Sequence, residues 1–251
     1  MEIQKQRTFG KRCLWAVAGM IGAATVVFSS CREDKLDLYD TTASALNIAK
    51  GTVFGSADDY PEEYAFNAYF LGSQQTDHQL DIPVRLQGAI DADHDRTYRV
   101  AIVDSATVRA VEGRHFSVAH EQTFRRGLYQ DTLRVTIHLD RLSETDDYRL
   151  RLALVPGGDF EEGVPLYQYV DISFTKNLTI APAFWDNNSK LRRIAYSPRK
   201  CAVFLQVSGI TDPDWVDDGS SVIIDYWISL CQQWFEQHEE YDADGNRIYF
   251  E

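Results

Sequence analysis

What the chain lacks sets the first limits. It has four cysteines in 251 residues, and none is spaced as a CxxC pair. Its six histidines, at positions 78, 94, 115, 120, 138 and 238, form no HExxH and no other tight metal-ligand spacing. There is no GxSxG nucleophile elbow and no glycine-rich phosphate loop. Positive charge is also short: 25 Lys and Arg stand against 38 Asp and Glu, a formal net charge of −13. Such a surface repels phosphate backbones, so nucleic acid is not an expected partner. Paired carboxylates for glycoside hydrolysis are defined by their separation in space, and no pair stands out among so many acids. Catalysis, a bound metal and a cofactor have no support in the sequence. The expectation is a protein that is not an enzyme.

Long apolar runs are confined to one place. Residues 13–28 follow Lys11 and Arg12 and precede Ser29-Ser30-Cys31. Sixteen residues fall short of the ~20 that a comfortable membrane span needs. The order basic, apolar, small is that of a secretory signal peptide. Cys31 is the expected lipid-attachment residue, with Ser29 and Ser30 fitting a lipobox and Phe28 standing where leucine is commoner. Two or three acyl chains anchor stably, whereas one binds marginally. An uncleaved anchor, or an ordinary signal with a chance cysteine, is the competing reading. Without residues 1–30 the chain keeps 21 basic and 37 acidic residues, a balance of −16. Of the later cysteines, Cys201 and Cys231 each lie in an apolar run. An exported protein permits a disulfide, and free cysteine is among the most buried residue types, so a bridge and two buried thiols both stay open.

Aromatics at 12% and hydrophobics at 44% point to a real core. Thr52-Val53-Phe54 is the expected start of the first strand, and residues 64–70 are aromatic-rich and strand-like. From there apolar residues recur at every second position. Leu80, Ile82, Val84 and Leu86 form one series; Tyr98, Val100 and Ile102 a second; Leu133, Val135, Ile137 and Leu139 a third. Tyr148, Leu150, Leu152 and Leu154 make a fourth, and Val170, Ile172 and Phe174 close the set. That is the period of strands with one buried face. Pro83 cannot donate to a ladder, which places its strand at an edge or a bulge. Turn residues separate the runs at 88–95, Glu112-Gly113, Arg126-Gly127, Pro156-Gly157-Gly158-Asp159 and Glu162-Gly163. Short strands with regular turn signals argue for a β-sandwich.

After residue 180 the pattern changes. Ser197-Pro198 is a helix start, serine capping and proline at the first helical position. Residues 201–207 then run to Gly209, a natural helix stop, with a buried strand as the alternative. Within 222–235, Ile223, Trp227, Cys231 and Trp234, and also Ile224, Ile228 and Phe235, fall at helical spacing. Residues 241–250 suggest a terminal hairpin around Asp244-Gly245.

Several motifs have a plain reading beside the functional one. Asp91, Asp93 and Asp95 alternate as in the first half of a calcium loop, but Arg96 and Ile102 stand where an EF-hand has glycine and glutamate, which favours a solvated loop. Asp242, Asp244 and Asn246 begin in the same way, with Arg247 at the glycine position. His138 lies on the outward face of a strand. Trp185 and Trp215 are the aromatics least tied to a periodic face, and exposed aromatics stack on sugar rings or anchor interfaces. They are the candidate ligand-binding residues. For Trp185 the favoured alternative is a plug between sandwich and helical region, since tryptophans are highly buried on average.

Three motifs carry a family resemblance over 82–207. The first is Ile82-Pro83-Val84-Arg85-Leu86-Gln87-Gly88 followed by Asp95-Arg96. The second sets Ala110, Gly113, His115 and Phe116 after Val103-Asp104-Ser105. The third joins Pro182-Ala183-Phe184-Trp185 to Tyr196-Ser197-Pro198-Arg199-Lys200. In order and spacing they resemble a domain family of unassigned function in Bacteroidetes outer-membrane lipoproteins. The second is also similar to Calx-beta domains, which are calcium-binding sandwiches that usually carry an acidic residue where this chain has His115. The acidic stretch after Cys31 resembles the signal that exports such lipoproteins to the outer face of the outer membrane.

The resemblance implies a mainly β protein, an Ig-like or Calx-beta-like antiparallel β-sandwich followed by a small helical C-terminal region. The expected division is a signal peptide at 1–30, a tether at 31–51, the sandwich at 52–180 and an α+β region at 181–251. The implied role is a non-catalytic accessory of a SusC/SusD-type nutrient-uptake system that captures an oligosaccharide or a peptide. Its partners would be the membrane, through the lipid on Cys31, and the transporter proteins. The alternative is a structural subunit that docks on the transporter and takes no small ligand.

Overall fold

The computed structural model describes residues 44–72, 75–217 and 221–251. The expected signal peptide, Cys31 and most of the expected tether lie outside these residues. Within them the chain is a β-sandwich followed by a small helical region.

The strands are β1 Ala45–Ile48, β2 Glu63–Asn67, β3 Asp77–Gln87, β4 Arg96–Ile102 and β5 Phe116–Val118, then β6 Glu121–Phe124, β7 Gln130–His138, β8 Asp147–Gly158, β9 Glu161–Glu162 and β10 Tyr169–Thr175. They form two sheets, ordered β5-β7-β3-β1-β9 and β2-β10-β8-β4-β6. The alternation read from sequence is the alternation of burial. Ile82 and Val84 on β3, Leu133, Val135 and Ile137 on β7, and Leu150 and Leu152 on β8 are fully buried, and they meet Val170, Ile172 and Phe174 of β10 in one core. A pleated strand sends successive side chains to opposite faces, so Pro83 and Arg85 of β3 point outward.

Three expectations are corrected here. The first strand is Ala45–Ile48, inside the stretch read as tether, and it pairs antiparallel with β3, Ala45 opposite Gln87 and Ile48 opposite Val84. Thr52-Val53-Phe54 is a turn. A strand of four residues is too short to show a period, yet Leu46 and Ile48 are both buried in the sandwich core. Second, β3 is an interior strand, flanked by β7 and β1. Its Pro83 is tolerated because the β1 ladder ends beside it: the Pro83 carbonyl accepts from the Ala49 N–H at 2.8 Å, and the missing donor falls just past the last residue of β1. Third, the sheets are not antiparallel throughout. β2 runs parallel to β10, with Phe66 opposite Phe174, and β1 runs parallel to β9. β1 and β2 follow each other in the chain but belong to different sheets, so no hairpin sets their direction.

The helical region holds α1 Ala183–Asn187, α2 Pro198–Ser208 and α3 Ser221–Gln237. Residues 201–207 are helix and not buried strand. Ser197 accepts from the Lys200 N–H, Pro198 opens the helix, and Gly209 closes it at φ 70°, a left-handed conformation that glycine adopts without strain. The core of this region joins Phe184 and Trp185 of α1, Cys201, Val203 and Phe204 of α2, and Ile224, Cys231 and Phe235 of α3. Cys201 and Cys231 are free, buried thiols, and burial pushes both up to about 12. The expected terminal hairpin is reduced to a single bridge, Tyr241 to Arg247. The Asp242 carboxylate takes the N–H groups of Asp244 and Asn246 at 3.0 and 2.8 Å, and this closes the segment as a turn. No described helix is long and apolar enough to cross a membrane.

Candidate functional site

Arg85 leaves the outer face of β3 beneath a loop built from residues 51–60. The loop closes on itself: the Gly51 N–H donates to the Tyr60 carbonyl at 2.7 Å, and the Tyr60 N–H to the Ser56 carbonyl at 3.0 Å. Ser56 and Asp59 tie the turn with a 2.7 Å side-chain hydrogen bond. A Cβ at Gly55 would come within 2.6 Å of the Tyr60 ring, so the loop can lie this close only with glycine there. The result brings three rings, two from this loop and one from Tyr129, around one guanidinium. Arg85 Cζ lies 5.0, 5.2 and 5.8 Å from the ring centroids of Phe54, Tyr60 and Tyr129, within cation–π range. Phe54 meets Tyr167 edge-on at 4.9 Å. Arg85 donates from Nε and Nη2 to Gln130 Oε1 at 3.2 and 2.9 Å, and from Nη2 to the Tyr60 hydroxyl at 3.1 Å. Tyr129 is 61% exposed. This is an aromatic platform with a cation at its centre.

Sequence reasoning missed it. Phe54, Tyr60, Tyr129 and Tyr167 sit next to turns in three separate stretches, and single aromatics beside turns carry no period. The available signal was Arg85, an outward residue of the Ile82–Gly88 motif.

A second concave feature lies where the sandwich meets α2. This cleft of about 480 Å³ is lined by Tyr69, Glu144, Lys176, Arg199, Leu205 and Gln206, among others. The Tyr69 hydroxyl donates to Glu144 at 2.8 Å, and burial together with that carboxylate raises its pKa well above the ordinary range. Arg199 Nη2 pairs with Glu240, and its Nε is buried without a partner.

The residues singled out from sequence are placed otherwise. Trp185 is 1% exposed, with Tyr196 5.3 Å, Phe204 5.9 Å and Phe250 6.0 Å away, so its ring cannot face a ligand. It is core of the helical region, because α1 turns it inward against α2. Trp215 is half-buried with its ring edge-on to Trp227 at 5.9 Å. The two tryptophans do not form a shared surface.

The candidate calcium loops hold themselves together. Asp91 Oδ1 accepts from the N–H groups of Asp93 and His94 at 2.8 and 3.0 Å, and Asp95 accepts from the Arg126 N–H at 2.9 Å. Among the described residues no group of three or more His, Cys, Asp or Glu is placed to hold a metal ion. His138 pairs across the β3–β7 ladder: its Nδ1 lies 2.5 Å from Asp77 Oδ1, and the hydrogen bond holds the Asp77 pKa low. His115 is buried beside the Tyr148 ring, and burial lowers its pKa.

Comparison with known proteins adds the following. A family model described as Domain of unknown function (DUF4843) matches residues 56–210. No curated protein matches the chain. Among solved structures, a Bacteroides ovatus protein named as a candidate carbohydrate binding protein is 12% identical, covers 55% of this chain and 38% of its own, and has a TM-score of 0.38. A Bacteroides ovatus protein of unknown function is 14% identical, covering 53% of this chain and 44% of its own, with a TM-score of 0.37. The apo form of the Calx CBD1 domain is 11% identical, covering 54% of this chain and 97% of its own, with a TM-score of 0.34. The chain spans about two fifths of the length of the two Bacteroides proteins.

Proposed function

The chain belongs to the family described as Domain of unknown function (DUF4843), and from that premise we propose that it is a non-catalytic capture protein. It is held by a lipid on Cys31 to the outer membrane and faces the cell exterior. It serves a SusC/SusD-type uptake system by binding an oligosaccharide or peptide. The apolar run ending in Ser29-Ser30-Cys31 supports the anchor. The observation that carries the binding role is the platform around Arg85. Three rings stand around a guanidinium that is itself held by Gln130 and Tyr60, and a preformed arrangement of this kind loses little ordering entropy on binding. The sandwich supplies a rigid base, since Arg85 stands on a strand paired on both sides.

A second reading, docking on the transporter without a small ligand, is favoured by α3. Its first turns expose Val222 (77%) and Tyr226 (56%) beside the half-covered stripe of Trp227 and Ile228. Exposed apolar faces of this kind mark interaction sites.

The test is a pull-down of the full chain, Cys31 intact, from detergent-solubilised outer membranes, with parallel glycan and peptide arrays. Co-purification of a transporter pair together with array binding that falls in Tyr129→Ala supports capture. A transporter pair with no array binding selects docking. Array binding with no membrane partner, even after crosslinking, overturns the accessory role.

A further inference from the structure

Among the described residues, no carboxylate neutralises the charge on Arg85. Its hydrogen bonds go to neutral acceptors, Gln130 Oε1 and the Tyr60 hydroxyl. No carboxylate among the described residues lies within ion-pair distance of it, in a chain with 38 Asp and Glu. The nearest carboxylate in sequence to Gln130 is Asp131, which points to the other face and is committed to Arg125 and Thr132. Among the described residues no acceptor meets Arg85 Nη1, and the atom is not fully buried. A guanidinium flanked by rings loses part of its hydration, and with Nε and Nη2 engaged by Gln130 and Tyr60 its Nη1 is the donor left for a charge-assisted hydrogen bond to a carboxylate. Beside it, the exposed ring of Tyr129 offers an apolar face.

Resting on the capture reading, we infer that the ligand is a sugar chain bearing carboxylates. A uronic-acid oligosaccharide places a carboxylate on Arg85 and a pyranose face on Tyr129. An acidic peptide fits less well. Peptides that bind sheets add a strand to an open edge, and β3 has β7 on one side and β1 on the other. The net charge of −13 repels dense polyanions at long range. Affinity therefore depends on the close, oriented pair, and short uronides bind better than long polymers.

The experiment titrates the full chain in detergent with trigalacturonate, with its methyl ester, with neutral galactotriose and with a glutamate-rich peptide. The free acid is expected to bind about tenfold to a hundredfold more tightly than the ester, the size of a lost charge-assisted hydrogen bond. Arg85→Gln removes that preference, while Gln206→Trp, which fills the separate cleft, leaves it intact. The ester comparison alters the ligand alone, so it stands even if Arg85→Gln loosens the loop. Equal binding of acid, ester and neutral sugar, all reduced by Tyr129→Ala, overturns the carboxylate inference and leaves glycan capture standing. Binding of the peptide alone overturns it in favour of an acidic peptide ligand. Binding of none of the four probes overturns both the inference and capture at this platform.

Discussion

The sandwich and the helical region fill their cores with different proportions of aliphatic and aromatic side chains. The sandwich core rests mainly on aliphatic side chains, Ile82, Val84, Leu133, Val135, Leu150 and Ile172 among them. Three of its other aromatics, Phe54, Tyr60 and Tyr129, stand outside around Arg85, with Tyr167 edge-on to Phe54. The helical region packs its large rings inward, with Trp185, Phe204, Phe235 and Phe250 all buried. A sheet face is broad enough to be filled by branched aliphatics. Three helices, one of five residues, have little surface to share and fill their core with bulk. The sandwich thus divides its aromatics, burying Phe116, Phe124, Tyr148 and Phe174 among the aliphatics while Phe54, Tyr60 and Tyr129 stand around Arg85, whereas the helical core is built mainly from large rings.

The hardest test of that contrast is Trp185→Ala. Emptying the centre of the helical core costs about 3–5 kcal/mol. The Trp185 Nε1 is buried without a partner, which trims the loss slightly. Urea unfolding followed by far-UV circular dichroism reads it. Ligand binding by the protein that remains folded is expected to be unchanged. A loss of binding in folded Trp185→Ala would return the tryptophan to the site.

The next effect belongs to the sandwich. Asp131 is buried and accepts from the Arg125 backbone N–H at 2.8 Å, from Arg125 Nη2 at 2.6 Å and from the Thr132 N–H at 2.8 Å. Burial alone would raise its pKa, but the hydrogen bonds from Arg125 and Thr132 outweigh it and hold the carboxyl below its ordinary value. Arg125 is largely exposed, so solvent screens the pair and Asp131→Asn is expected to cost about 1–3 kcal/mol. A depressed folded-state pKa contributes stability above the unfolded value, near 4, and loses it as pH falls through the folded value. The gap between wild type and Asp131→Asn should be full at pH 7 and shrink below about pH 4. A gap constant down to pH 2 would exclude the carboxylate as its source.

How much of this was legible follows the same divide. Every strand with three or more alternating apolar residues, from Leu80 to Phe174, was visible because burial on one face writes a period of two. Helix α2 was visible through Ser197, Pro198 and Gly209, which are local chemistry. β1 was not, since four residues carry no period, and the interior place of β3 was hidden by Pro83, whose cost vanishes only because β1 ends beside it. The site was invisible for a related reason. Its rings come from residues 54, 60, 129 and 167, joined by the sheet and not by sequence. Tryptophan drew attention to 185 and 215 by its size, the property that also sends it to a core.

A smaller effect concerns pH on the other sheet. His120 Nδ1 bonds the Val100 carbonyl at 3.0 Å and its Nε2 lies 2.9 Å from Glu112. The carbonyl first, and then the carboxylate, raise its pKa. A raised folded-state value contributes stability fully below the unfolded pKa, about 6.5, and loses it as pH rises through the folded one. Thermal midpoints across pH 5 to 9 should fall slightly through that window in wild type and lose this component in His120→Gln. The pair is exposed, so the effect is small and weakens in salt.

The smallest change in stability is expected at Tyr129→Ala, and it is the most informative about function. Tyr129 is exposed, and its backbone carbonyl, not its ring, holds the sheet by accepting from the Leu86 N–H at 2.9 Å. Removing the ring leaves that bond, the Arg85–Gln130 contacts and the loop from 51 to 60 in place. Stability should therefore shift by no more than about 0.5 kcal/mol, as for surface substitutions clear of buried features. Ligand binding should drop, because the lost face is the one open to solvent. The two tests together separate inward from outward aromatics: Trp185→Ala lowers stability and spares binding, and Tyr129→Ala lowers binding and spares stability. If Tyr129→Ala changes neither, the rings around Arg85 serve to pin the loop on the sheet, and the surface chemistry of the sandwich lies elsewhere.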